Sequence, residues 1–246
     1  MPSASSLISA RDHRRAVLPT AGALLGALLL ARSLPALAGA WPALRAPLGI
    51  EDRTSGGSGY ALTFDDGPHA QGTPAVLDVL ASAGVAATFF LVGEQVRRDP
   101  ALAREIAARG HTVALHCDRH RNLLRLTGAQ VREDLARALD TICAATGREP
   151  GLYRPPYGIA TTPALRAARR YGWRTVLWSD WGRDWEDRAD ADSITELATR
   201  DACDGAVVLL HDADDYGAPG SWRATVRALP RIIEALDARG LAPAPL

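Results

Sequence analysis

The chain contains no lysine; all 28 of its basic residues are arginine. Without an ε-amine there is no Schiff-base chemistry, and no phosphate loop of the Gly-Lys-Ser/Thr type. Net charge is also lacking, because 28 acidic residues bring the balance to +0. Nothing therefore marks the electrostatic footprint that nucleic acid or a general membrane-surface attraction would leave. Cysteine is scarce, and its count of three is odd, which does not make a disulfide framework. Cys143 falls in a helical stretch and Cys203 in a loop; small buried thiols are common, so no bridge between them is expected. No internal repeat is present. The apolar stretch Ala16–Ala31 is sixteen residues long, short of the roughly 20 that span a bilayer.

The N-terminus nevertheless has a pattern of its own. Arg11, His13, Arg14 and Arg15 precede that apolar stretch, and Ala36-Leu37-Ala38 offers a small-x-small cleavage site. This is the order of a secretory signal. If Arg32 is tolerated near the interface, the same residues form a retained membrane anchor. A cytosolic segment of signal-like composition is the third reading. Residues 1–40 are thus expected as signal peptide or anchor, 41–57 as a linker rich in Gly and Ser at its end, and 58–246 as one well-buried domain. Either of the first two readings puts that domain outside the cytoplasm, secreted or membrane-anchored.

The most informative six residues are Thr63-Phe64-Asp65-Asp66-Gly67-Pro68. Two adjacent carboxylates close a strand-like run from Tyr60, and burying like charges side by side is costly unless a cation compensates them. Alone, the segment reads equally well as an acidic turn. Downstream, Val113–Leu115 is a short buried strand running into His116, and His120 follows four residues later. One helical turn or a tight loop would bring both imidazoles to one side. With one carboxylate they make a ligand set suited to Zn and its neighbours, leaving a position open for water. His111, at an odd offset from His116, points to the other face of a strand and is read as structural.

Three further segments complete the pattern. Arg154-Pro155-Pro156-Tyr157-Gly158 is stiff, because the diproline fixes φ twice. Such a loop can aim a backbone N–H, as an oxyanion hole needs. The acidic, Trp-rich run Ser179–Trp185 follows a strand, and Ala206–Leu210 is a buried strand delivering His211-Asp212. Each group sits at or just past a strand end, where parallel α/β folds build active sites.

Together these motifs resemble the polysaccharide deacetylases with a NodB homology domain, the fourth family of carbohydrate esterases. The resemblance covers about residues 58–242, with all five family motifs in order. It implies a distorted (β/α) barrel of about seven strands and metal-dependent removal of acetyl groups from sugars. By position, Asp65 resembles the general base, and Asp66, His116 and His120 the ligands of a divalent metal, Zn first, with Co, Ni or Mn as alternatives. Arg154 resembles the residue that orients the base, and Tyr157 the oxyanion donor through its backbone. Trp185 and Leu209 resemble the walls of an acetyl pocket, and His211 the general acid with Asp184 as its partner. Asp180-Trp181 repeats the Asp184-Trp185 dipeptide, so two acidic candidates exist. Cys117 stands where many members have Ser or Thr. The implied substrate is an N-acetylglucosamine-containing oligo- or polysaccharide, chitin-like or peptidoglycan, with no nucleic acid partner. Membrane association would run through the N-terminal segment, and the enzyme would be a monomer. An O-acetyl esterase of the xylan type and a silent carbohydrate-binding module are the competing functions.

The remaining periodicity alternates as a wound α/β chain does. It predicts helices over Thr73–Ala83, Pro100–Arg109, Thr127–Ala145, Pro163–Tyr171, Ser193–Thr199 and Arg223–Ala238, with a strand over Ala86–Val92. His69 reads as an exposed loop residue, and Asp214 and Asp215 as a solvated acidic loop.

Overall fold

A computed structural model describes residues 21–246. Eight strands form one sheet: β1 (Ile50–Glu51), β2 (Tyr60–Asp65), β3 (Thr88–Val92), β4 (Thr112–Cys117), β5 (Leu152–Tyr153), β6 (Arg174–Val176), β7 (Asp180–Trp181) and β8 (Ala206–His211). Their order is β1-β6-β5-β4-β3-β2-β8-β7, with parallel pairing throughout. The helices are α1 (Ala21–Ser33), α2 (Arg45–Leu48), α3 (Gly72–Ala83), α4 (Gly93–Arg98), α5 (Pro100–Ala108), α6 (Gly128–Thr146), α7 (Thr162–Tyr171), α8 (Ala191–Thr199) and α9 (Trp222–Asp237). None of the described helices is long and apolar enough to cross a membrane.

Parallel strands need crossover helices, which bury both faces of the sheet. Accordingly β2 is buried at every position, Tyr60 to Asp65. One face packs against the helices in the main core, which includes Leu62, Phe64, Phe89 and Leu91 with Val76, Leu80, Ile106, Leu135 and Ile232. The other face closes on itself. Phe90, Ala114, Leu152, Val176 and Val207, from five different strands, form a separate buried cluster. That is the interior of a curled, barrel-like sheet, as the resemblance implies. The strand count is eight where about seven were expected.

One strand, β1, comes from residues 41–57, and here the linker expectation needs correcting. The 3₁₀ turn Pro42–Leu44, α2 and β1 lie there, and Ile50 pairs with Thr175 at the edge of the sheet. Ala38 and Ile50 are buried with Ala160, Leu165 and Leu177, and Leu44 and Leu48 pack against them. These apolar residues sit in turns too short to show a helical or strand period, which is why the segment reads as a linker. Arg11, His13, Arg14 and Arg15 and residues 16–20 lie outside the described residues.

The longer helices match their periodicity to within two residues. α6 starts with a capping box: the Thr127 hydroxyl accepts from Gln130 N–H and the Gln130 side chain accepts from Thr127 N–H. Thr127→Ala should therefore cost about 1 kcal/mol of unfolding free energy, read from a shifted urea midpoint at unchanged slope.

Candidate active site

β2 ends at Asp65, and the backbone turns sharply at Asp66, whose φ of 79° is unusual for a residue with a side chain. That turn swings Asp66 across the end of the sheet towards β4. Gly67 is required next, because a Cβ there would fall 2.5 Å from Asp212 Oδ2. His116 is in β4, and the loop after it returns His120, so a tight loop rather than a helical turn pairs the imidazoles. Their ring centroids are 5.2 Å apart.

Asp66 Oδ1 lies 3.5 Å from His116 Nε2 and 3.4 Å from His120 Nε2. Tetrahedral ligands about 2.05 Å from an ion stand about 3.3 Å apart, so the three atoms have metal-ligand spacing. Asp66 Oδ1 is buried and takes no hydrogen bond. An orphaned carboxylate oxygen facing two imidazole nitrogens fits a divalent cation. The His116 Nδ1–H donates to the Arg154 carbonyl at 2.7 Å, leaving Nε2 its lone pair. Burial lowers the His116 pKa to about 3; burial, then His116, does the same for His120. Both rings are thus neutral at pH 7, as ligands must be. Burial, opposed by His211 and reinforced by Asp65, pushes Asp66 up to about 7, a strain that a bound cation would relieve.

Asp65 faces the same space but has a different partner. Its Oδ1 accepts from Arg154 Nη1 at 2.7 Å, and its Oδ2 is 4.0 Å from His116 Nε2. Arg154 is fully buried and also donates to the Thr63 hydroxyl and to the carbonyls of Val176 and Leu177. Burial raises the Asp65 carboxyl above its ordinary range, with Arg154 and His211 acting against that.

Opposite stands His211, at the end of β8. Its Nδ1 lies 2.8 Å from Asp184 Oδ1, while Asp184 Oδ2 accepts from the His211 N–H and the Thr225 hydroxyl, both at 2.7 Å. Asp184, fully buried, is spent entirely on this arrangement. Asp180 sits on β7 and accepts from the Ser179 hydroxyl instead. Of the two acidic candidates, the structure brings only Asp184 to the imidazole. Burial pulls the His211 pKa down, but Asp184, with Asp66 and Asp65, outweighs it and holds the ring at about 9.

Between these groups is a cavity of about 200 Å³, lined by Asp65, Asp66, His116, His120, Tyr157, Trp178, Trp181, Trp185, Leu209, His211 and Tyr216. Every site residue expected from the sequence reaches it except Arg154 and Asp184, which lie behind Asp65 and His211 and hydrogen-bond to them. Tyr157 is left-handed, at φ 59°, and its ring meets His120 edge-on at 4.4 Å. Trp185 meets His211 edge-on at 5.3 Å.

Several contributors have no motif to announce them. Tyr216 stacks on His120 at 4.5 Å, and its hydroxyl donates to Glu94 Oε1 at 2.6 Å. Asp134, on the buried side of α6, accepts from the Asp118 N–H at 2.8 Å and pairs with Arg121, pinning the loop that carries His120. Only the hydrophobic spacing of α6, which turns Asp134 inward beside Val131, Leu135 and Ala138, could have marked that residue. His111 lies just before β4 and accepts from Ala87 N–H, away from the cavity. His69 is not a free loop residue: its Nδ1 accepts from Gly72 N–H and its Nε2 pairs with Asp214. Asp215 pairs with Arg98. The three cysteines are free, and burial raises the Cys117 thiol well above its usual range.

The profile described as polysaccharide deacetylase matches residues 52–176. A chitooligosaccharide deacetylase of Bradyrhizobium is 40% identical over 202 residues, 78% of this chain and 90% of its own. The solved Bc1960 peptidoglycan N-acetylglucosamine deacetylase superposes with a TM-score of 0.72 at 31% identity, over 78% of this chain and 88% of its own. A fourth-family pseudoenzyme from Bacillus anthracis superposes at 0.68 with 27% identity, over 75% and 62%. The chain belongs to the polysaccharide deacetylase family, the NodB-like fourth family of carbohydrate esterases.

Proposed function

We propose that the chain is a metal-dependent N-deacetylase of N-acetylglucosamine oligo- or polysaccharides, working outside the cytoplasm. The observation that carries this is the pairing across one cavity. Asp66 Oδ1, His116 Nε2 and His120 Nε2 converge with metal spacing on one side, and His211 is held by Asp184 on the other. The deacetylases among its relatives supply the substrate class.

A divalent ion held by Asp66, His116 and His120 would acidify a water and polarise the acetyl carbonyl. Asp65, fixed by Arg154, takes the proton as the water oxygen bonds to the acyl carbon. The Tyr157 N–H donates to the carbonyl oxygen as negative charge develops there. His211 donates a proton to the departing nitrogen as the C–N bond breaks, releasing acetate and a free amino sugar. An amine leaves poorly unless protonated, so the site needs an acid opposite its base. Trp185 and Leu209 enclose the acetyl methyl.

The experiment is acetate release from an N-acetylated chitooligosaccharide, before and after dialysis against a chelator. Activity should fall at least about tenfold on metal removal and return with Zn, Co, Ni or Mn, matching the deprotonated ligand set. Release from acetylated xylan alone would favour the O-acetyl esterase. Sugar binding without any release would make it a silent binding module; a solved neighbour of the same family is a pseudoenzyme.

A further inference from the structure

The profile match begins at residue 52, yet the chain before it reaches the cavity wall. Arg45, only 7% exposed, sits between the two. Its Nη1 donates to the Trp178 carbonyl at 2.8 Å and to Asp52 Oδ2 at 2.7 Å, and its Nε donates to the Ala38 carbonyl at 3.0 Å. The carbonyls of Val176, Leu177 and Trp178 follow one another out of β6. Arg154 holds the first two and Arg45 the third. From the same side, the Glu51 carbonyl accepts from Leu177 N–H at 2.7 Å.

A second contact runs through glycines. A Cβ on Gly39 would stand 3.1 Å from the Gly158 carbonyl oxygen, and a Cβ on Gly158 would stand 2.8 Å from the edge of the Trp178 ring. Backbone at 39, backbone at 158 and the Trp178 indole are therefore stacked in direct contact. Trp178 then leads along the cavity through Trp181 and Trp185 to His211, with successive centroids 5.9, 5.4 and 5.3 Å apart.

We propose that Ala38–Asp52 is a positioning element of the active site, with Arg45 fixing Trp178 and Gly39 seating the turn that presents Tyr157. This rests on the deacetylase reading and extends it to residues outside the matched region. A buried guanidinium with three well-made acceptors is a rigid part. Losing it leaves the Trp178 and Ala38 carbonyls and the Asp52 carboxylate without their donor, and the indole free to shift. It also follows that a cut after Ala38 would remove an acceptor of Arg45 and place a new charged terminus against Gly158. Ala38 is fully buried, so on this proposal a chain with Ala38 joined to Gly39 is more active than one cut there.

The test compares full-length Arg45→Met, Arg45→Lys, Gly39→Ala and Arg174→Met with the parent chain. Measured are kcat and KM on a chitooligosaccharide, inhibition by acetate, metal content and Tm. Arg174 pairs with Glu51 and ties β1 to β6 without touching Trp178, so it reports mere loosening of the segment. Arg45→Met should lose about tenfold or more in kcat/KM, since small misplacements of reacting groups are costly. Its acetate inhibition should weaken in parallel at unchanged metal content, with Arg45→Lys in between. Gly39→Ala should show the same pattern more weakly, which keeps the test alive if Arg45→Met does not fold. Arg174→Met should lower Tm alone. Unchanged acetate inhibition in both Arg45→Met and Gly39→Ala would overturn the inference, as would losses in Arg174→Met equal to those in Arg45→Met. So would a native chain that starts at Gly39 and is as active as the uncut one. A parent chain that releases no acetate would bring down the deacetylase reading itself, and the inference with it.

Discussion

Asp65→Asn should lower kcat on a chitooligosaccharide by about 10²–10⁴-fold, the range of general acid–base catalysis, while the metal content stays at one ion per chain. The carboxamide still accepts from Arg154 through its oxygen, so geometry survives, but it cannot take a proton from water. The proposed cation set is Asp66, His116 and His120, and Asp65 Oδ2 is 4.0 Å from His116 Nε2. Asp66→Asn should give the opposite result, with metal lost. The variant also leaves the Arg154 guanidinium buried beside a neutral group, and breaking such a pair costs on the order of 3–5 kcal/mol. Asp65→Asn should therefore melt earlier, and rates must be taken where the protein is folded. As the proposed base, Asp65 must be ionised, so activity of the parent should fall as pH drops through its raised pKa, and this acid limb should vanish from the residual rate of the variant. Metal retained by Asp66→Asn but lost from Asp65→Asn would exchange the two roles.

How far this site was legible follows from where its parts sit. Asp65, His116 and His211 end or follow apolar runs, Tyr60–Phe64, Val113–Leu115 and Ala206–Leu210, and such runs read as strands whatever surrounds them. The order of strands along the chain then places their ends on one edge. Arg154 and Asp184 follow strands of only two or three residues, too short to show a period. Motif resemblance marked them, and only their bonds to Asp65 and His211 tell Asp184 from Asp180. Tyr216 and Arg45 were invisible for a different reason. Each acts through one contact made across the fold, Tyr216 on His120 and Arg45 on Trp178, and nothing local in the sequence encodes a partner more than 90 residues away. The linker expected over 41–57 failed on the same ground, because its burial depends on a gap beside β6 rather than on its own pattern.

Asp184→Asn should move the alkaline limb of the rate profile to lower pH, by about 1–3 units if the charge of a contacting carboxylate is what sustains the imidazolium. The sign follows from the role. His211 must be protonated to donate to the departing amine, so activity is present below its pKa and lost as pH rises through it. In the parent that point is held at about 9, against burial, chiefly by Asp184. An asparagine at 184 can keep its oxygen on the His211 N–H and Thr225 hydroxyl, which both donate to Oδ2. Its amide nitrogen then faces Nδ1, where it offers a proton instead of accepting one, and the neutral ring is favoured. Burial would now act with less opposition and in the same direction. Within the accessible range kcat should drop by on the order of 10², the lower end of what a general acid contributes. Metal content should not change, since none of the three ligand atoms bonds to Asp184. Asp180→Asn is the control, because its carboxylate accepts from Ser179 and has no contact with His211; profile and rate should stay close to those of the parent. A shifted limb in Asp180→Asn with an unmoved one in Asp184→Asn would transfer the partner's role to Asp180. An unmoved limb in both would mean that the alkaline limb belongs to a group other than His211, and the acid would have to be sought elsewhere in the cavity.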